Sequence, residues 1–385
     1  MSFRHHISHF LANLQQNLFP HIERSLASPF TEEHRRITAI LEIVRVEDSV
    51  PLSFTSPLGG RPRLDRRTLA RAYIVRGALG ISETQDLVNR LQADRTLRRL
   101  CGWREGERLP SAATFSRAFA EFAHSGLYDQ AHAGLVGAHL GDTVTEHVSY
   151  DTTAIPVRER PVKKQKPAKV ARKRGRPNKG EERPAPEPTR LQRQRTQTVA
   201  AMLAELPTDC SIGCKTNSHG SPEYWTGYKL HVALTDDGLP VAAFTTAAST
   251  HDSGGAIPLL QMTRSRLRSC YDLMDSAYDT KEIAAVSEEV GHVPIIDGHV
   301  RRGAKAERER LAKLSFSRQH VERALIETDR YRRFNARSSV ERFNSRLKDN
   351  TGARMIRVRG HPKVHAVLMC GLLVIFADAL LALGR

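Results

Sequence analysis

The sequence predicts an α/β protein: a mixed sheet flanked by helices, preceded by an all-α N-terminal domain. Three observations carry this. The N-terminal part places apolar residues at helical spacing, whereas Tyr228, Leu230, Val232 and Leu234 alternate with polar or small residues as a strand does. From Gly255 onward, helix-like and short strand-like runs take turns. The expected limits are 1–140 for the helical domain, 141–383 for the sheet-bearing domain, and 156–200 for an insert of different texture.

Residues 1–50 mix apolar and charged residues with few breakers, and Pro51 to Pro62 reads as a loop. From Asp65, Leu69, Ala72, Tyr73, Val75 and Leu79 mark one apolar helical face that Gly80 ends. Ser82 is expected to cap a second helix through Leu87, Leu91, Leu97 and Leu100, with Glu83 in its first turn. Ser111 opens a third through Phe115, Phe119 and Phe122. Short helices with arginines between them suit a helix-turn-helix-like DNA-binding module; the plainer reading is a packing bundle.

Val144 to Tyr150 is an expected strand that Asp151 closes. A second strand begins at Trp225, Asp236-Asp237-Gly238 is a turn, and Pro240 to Thr246 returns. Gly255–Arg268 reads as helix, Tyr271–Asp275 as a short buried strand, Lys281–Val290 as helix and Val293–Ile296 as strand. Val364 to Leu383 is apolar but holds His365 and Asp378. A membrane span needs roughly 20 nearly uncharged residues, so this is expected to be a buried packing helix.

The 385 residues carry a net charge of +17 and a pI of about 10.0, which directs attention to polyanions. Residues 158–195 hold 15 Lys+Arg against 4 Glu, a net of +11, with six prolines and no apolar period. That texture is expected of a solvated, disordered segment. Five scattered cysteines point to a reducing compartment, and Cys210, Cys214 and His219 lack a fourth ligand at zinc-finger spacing. With no charged-then-apolar N-terminal signal, the expectation is a soluble cytoplasmic protein that meets nucleic acid and no membrane.

Asp151 and Asp275 stand at expected strand ends, where carboxylates project from one rim of a sheet. Hard divalent cations bind such oxygen ligands. Two ions about 3.5–4 Å apart can activate an attacking oxygen and stabilise a leaving one in phosphodiester cleavage. Either aspartate alone is more simply a turn cap, and Asp272 and Asp279 are rivals for the second position. The segment Phe334 to Lys348 is helix-like. Arg337 and Glu341 are i, i+4, and Phe334 and Lys348 each lie seven residues from Glu341, so all four share a face. A carboxylate between cations, with Arg342 and Arg346 close by, suits a metal beside gripped phosphates. The plain alternative is an exposed helix laced with salt bridges.

Here the sequence resembles the bacterial insertion-sequence transposases of the DDE class, whose signature is Y-(2)-R-(3)-E-(6)-K. Arg337, Glu341 and Lys348 match it, and Phe334 stands in place of its Tyr. Leu273 to Asp279 resembles the family's second-aspartate segment (D-x-[GA]-Y-D), which selects Asp275 over Asp272. Tyr224 to His231 is similar to its G-Y-K-L-H strand, Ser249 to Ser253 to its H-D-S turn, and residues 60–125 to the helical N-terminal domain often joined to it. The resemblance implies an RNase H-like fold with two Mg²⁺ or Mn²⁺ ions held by Asp151, Asp275 and Glu341. It also implies phosphate contacts from Arg337 and Lys348, with Arg342 beside them, and a homodimer acting on double-stranded DNA as transposon ends and target.

Inside the basic segment, Arg174-Gly175-Arg176-Pro177 resembles an AT-hook, a peptide that lies in the narrow minor groove of A·T-rich DNA. Its plain alternative is a basic linker acting through counterion release. Two other functions remain open on the sequence: an RNase H-like nuclease without strand transfer, and a DNA-binding protein without catalysis.

Overall fold

The computed structural model describes residues 30–51, 64–141, 143–162, 187–216, 219–297 and 332–384. The described residues from 30 to 141 are helical: α1 (Glu32–Val44), α2 (Arg66–Ala78), α3 (Thr84–Ala93), α4 (Arg95–Leu100), α5 (Ala112–Ser125) and α6 (Leu127–Leu140). Asp65 and Ser111 cap α2 and α5 as their sequence positions suggest. The helix expected from Ser82 through Leu100 is instead two. Glu83, not Ser82, is the N-cap of α3, and the chain breaks at Asp94, whose carboxylate accepts the Leu97 N–H and starts α4. A short acceptor that can cap a new helix competes there with continuation of the old one.

The sheet contains β1 (Val144–Pro156), β2 (Ser211–Thr216), β3 (Pro222–Thr235), β4 (Pro240–Ala247), β5 (Arg268–Met274) and β6 (Val293–Ile296). Its order is β2-β3-β1-β5-β6, with β4 also on β3. The β1–β3, β2–β3 and β3–β4 pairs are antiparallel; β1–β5 and β5–β6 are parallel. Two strands share the outer edge of β3: β2 pairs Pro222 to Gly227, and β4 pairs from Tyr228 onward. Gly227 sits at the changeover with φ 149°, and a Cβ there would lie 2.2 Å from the Ile155 carbonyl oxygen. Only glycine fits.

Helices α7 (Arg190–Gln194), α8 (Val199–Glu205), α9 (Ala256–Arg264), α10 (Lys281–Glu289) and α11 (Ser338–Asn350) flank the sheet, and α12 (His361–Ala382) follows. This is the expected RNase H-like mixed sheet flanked by helices behind an all-α region. Both ends of the stretch expected as an insert, 156–200, hold regular structure, and residues 163–186 lie outside the described residues. Pro156 closes β1, while α7 and α8 carry buried Gln194 and Met202. Thr189 and Thr198 cap these helices. The AT-hook-like Arg174 and Arg176 lie outside the described residues.

Helix α12 is long and apolar enough to cross a membrane by length and composition. Here it is a core helix. It packs on α1, α2, α5 and α6 on one side and on β4 and α11 on the other. One hydrophobic cluster therefore runs from Ile37 of α1 through Leu372 and Phe376 to Val232 of the sheet.

Candidate active site

Strands β1 and β5 run parallel at a constant offset, from Val144 opposite Arg268 to Ser149 opposite Leu273. Two residues further along each strand, in the same phase, stand Asp151 and Asp275. Period-two alternation sends both to one side of the sheet. Asp151 is not at a strand end, as the sequence suggested. The strand continues to Pro156 because its other edge stays paired with β3 as far as Gly227. What ends beside Asp151 is the ladder to β5, which opens that edge of β1. Asp275 is where β5 stops. Its backbone is still extended, and its carboxylate accepts the Ala277 N–H at 3.0 Å, so it caps a turn as well as flanking the opening.

Helix α11 lies across this opening. Arg337, at its N-cap, donates from Nη2 to Asp151 Oδ1 at 2.7 Å and stands 3.7 Å from Asp275 Oδ2. Asn344 Nδ2 donates to Asp151 Oδ2 at 2.9 Å, and Lys348 Nζ to Thr153 Oγ1 at 2.6 Å. Positions 337, 344 and 348 recur at helical spacing, so one face of α11 touches β1. Glu341 belongs to that face by spacing but is exposed, and the three carboxylates do not form a single ligand cluster among the described residues. Arg342 is also exposed and bonds to Ser338 of its own helix.

Burial pushes the Asp151 carboxyl up to about 6; Arg337 pulls it back, and Asp275 adds to the rise. Burial raises Asp275 too, against Arg337, with Asp252 and Asp297 contributing repulsion. Lys348 is lowered, by burial first and then by Lys215 and Arg354. Crowded acids offering only oxygen atoms fit a hard divalent cation, whose charge would relieve their repulsion.

Several neighbours support the pair. Lys229 Nζ donates to Asp252 at 2.6 Å and to the Thr250 carbonyl at 2.9 Å, tying the Tyr224–His231 strand segment to the Ser249–Ser253 turn. His231 is fully buried, stacked on Phe244 and bonded to Thr246, and burial lowers it to about 4. It is a packed core residue. Asp272, the rival for the second acid, is wholly buried, accepting from Tyr150 and Ser287 and meeting His292 at 3.1 Å. Sequence reasoning missed Asn344, although its position seven residues after Arg337 was a readable signal.

Residues 143–376, more than half of the chain, match the family model described as Transposase DDE domain. The chain belongs to the DDE transposases. A second model, described as a transposase domain (DUF772), matches residues 26–121. No curated protein and no solved structure matches the chain. In this DDE transposase the first match opens just before β1 and closes inside α12, so it takes in every strand, both aspartates and α11. The second spans α1 to α4 and most of α5.

Proposed function

We propose that this transposase cleaves the ends of a mobile DNA element and joins the freed 3′-hydroxyl to target DNA, with Mg²⁺ or Mn²⁺ as a pair of ions. The observation that carries the reading is the in-phase pair Asp151 and Asp275, gathered by Arg337 on the helix that also presents Glu341 and Lys348. Asp151, Asp275 and Glu341 are the proposed ligands. When bound, such ions activate the attacking oxygen and stabilise the leaving one. Arg337 and Lys348 hold phosphate oxygens beside the cut, and Asn344 keeps Asp151 in place. Water first breaks the bond between phosphorus and the 3′-oxygen at the element end. The freed 3′-hydroxyl then attacks a target phosphorus and displaces a target 3′-oxygen.

The helical part (1–140) and the basic segment with Arg174 and Arg176 supply further DNA contacts, with Arg342 beside the cleft. The working form is a homodimer on paired ends, in the bacterial cytoplasm at the nucleoid. Glu341→Gln is expected to abolish magnesium-dependent nicking of a supercoiled plasmid while end binding is retained. Nicking at the unaltered rate sinks the ligand assignment. Supplying pre-cut ends separates the reactions: joining to target supports the transposase, and cleavage without joining leaves a nuclease.

A further inference from the structure

A groove with a volume of about 1140 Å³ lies outside the catalytic cleft, in the helical part. Its walls are one face of α3, the N-terminal turn of α5 and the loop between α4 and α5. Arg98, Arg108 and Arg117 line it, and none pairs with a carboxylate among the described residues. By contrast, Arg36, Arg71 and Arg90 of the same helical region are matched by Asp378, Glu47 and Glu33. Arg66 also reaches the groove but is held by Glu121, and Glu107 is its single acid. The first turn of α5, capped by Ser111, carries no carboxylate, so its free N–H groups add to the positive field.

Three arginines around one concave surface with no carboxylate partner among the described residues (Arg117 donates only to the neutral Thr114 hydroxyl) repel each other, a cost that a polyanion removes. Guanidinium groups suit phosphate oxygens through paired N–H donors. We propose that this groove binds the sugar–phosphate backbone of duplex DNA through Arg98, Arg108 and Arg117, and anchors the DNA whose cut site enters the cleft. The inference rests on the transposase reading for its choice of polyanion. The groove grips phosphates, so its contribution is independent of base sequence and sensitive to salt.

The full chain and its Arg98→Ala/Arg108→Ala/Arg117→Ala variant are titrated by fluorescence anisotropy against two labelled three-turn duplexes, one A·T-rich and one G·C-rich. The variant is expected to bind both at least ~10-fold more weakly, with a salt slope shallower by about three, one per lost phosphate contact. Arg108→Glu provides a second variant. This side chain is exposed and bonded to nothing among the described residues, so its melting temperature is expected to be unchanged while its binding weakens on both duplexes. Unchanged affinity and slope, or a loss confined to one duplex, overturns the groove. If the unaltered chain nicks and joins DNA while the triple variant binds as tightly, the groove falls and the transposase reading stands. If the unaltered chain binds neither duplex and cuts nothing, both fall.

Discussion

Asp151 has both carboxylate oxygens engaged, one by a cation and one by a neutral amide, and the two partners do different work. Arg337 is shared with Asp275, so it balances charge across the pair. Asn344 adds no charge and fixes direction. Asn344→Ala is therefore expected to lower cleavage by about 10–100-fold, the range for partners that orient a ligand, with little change in melting temperature. Full activity in a plasmid-nicking assay would show that Asn344 does not position Asp151. The candidate residues were unevenly readable. Glu341 was singled out by its spacing to Arg337 and Lys348, yet it lies exposed and outside any ligand cluster among the described residues, whereas Asp151 had no local signature. Its standing comes from a register with a strand more than a hundred residues away, across the basic segment.

Among the elements, β1 governs the site because it is flanked differently along its length. It pairs with β5 from Val144 to Ser149 and with β3 from Val148 to Pro156, so past Asp151 only β3 accompanies it. Strand type and turn chemistry were legible from alternation at Tyr228–Leu234 and from Asp236-Asp237-Gly238, since those signals are local. The extension of β1 to Pro156 was not, because it depends on pairing with a distant strand. Gly227 makes the same point. It reads as an ordinary glycine in a motif until the Ile155 carbonyl is placed against it. Gly227→Ala is expected to cost about 2 kcal/mol or more in stability, through a strained φ and a backbone clash. Chemical denaturation reads this directly, and a midpoint equal to the parent's would contradict the packing. Asp272 protects the register between β1 and β5. A slip of one residue there would send one aspartate to the opposite face, and it would also break the buried bond from Tyr150 of β1.

In the molecule as a whole, the helical part and the sheet are joined by a common core and by the buried His132. His132 of α6 meets the Pro240 carbonyl at the start of β4 at 2.8 Å, and burial lowers it to about 4, as it does His231. An unfolded histidine takes up its proton near pH 6.5. Both groups therefore contribute stability that is complete above that value and is lost as pH falls toward 4. At pH 5 each is expected to have given up about 2 kcal/mol relative to pH 7. A melting temperature that falls over this interval, and falls less in His132→Gln, is the expected result; a flat profile would refute it. Helix α12 has a consequence for synthesis. Helices α1, α2, α5 and α6 emerge from the ribosome long before residues 361–382, yet their core is filled by that stretch. Translation must pass residue 382 before the N-terminal helices can settle. A product terminated before residue 361 would leave those helices without the side chains that fill their core, as an open, protease-sensitive bundle.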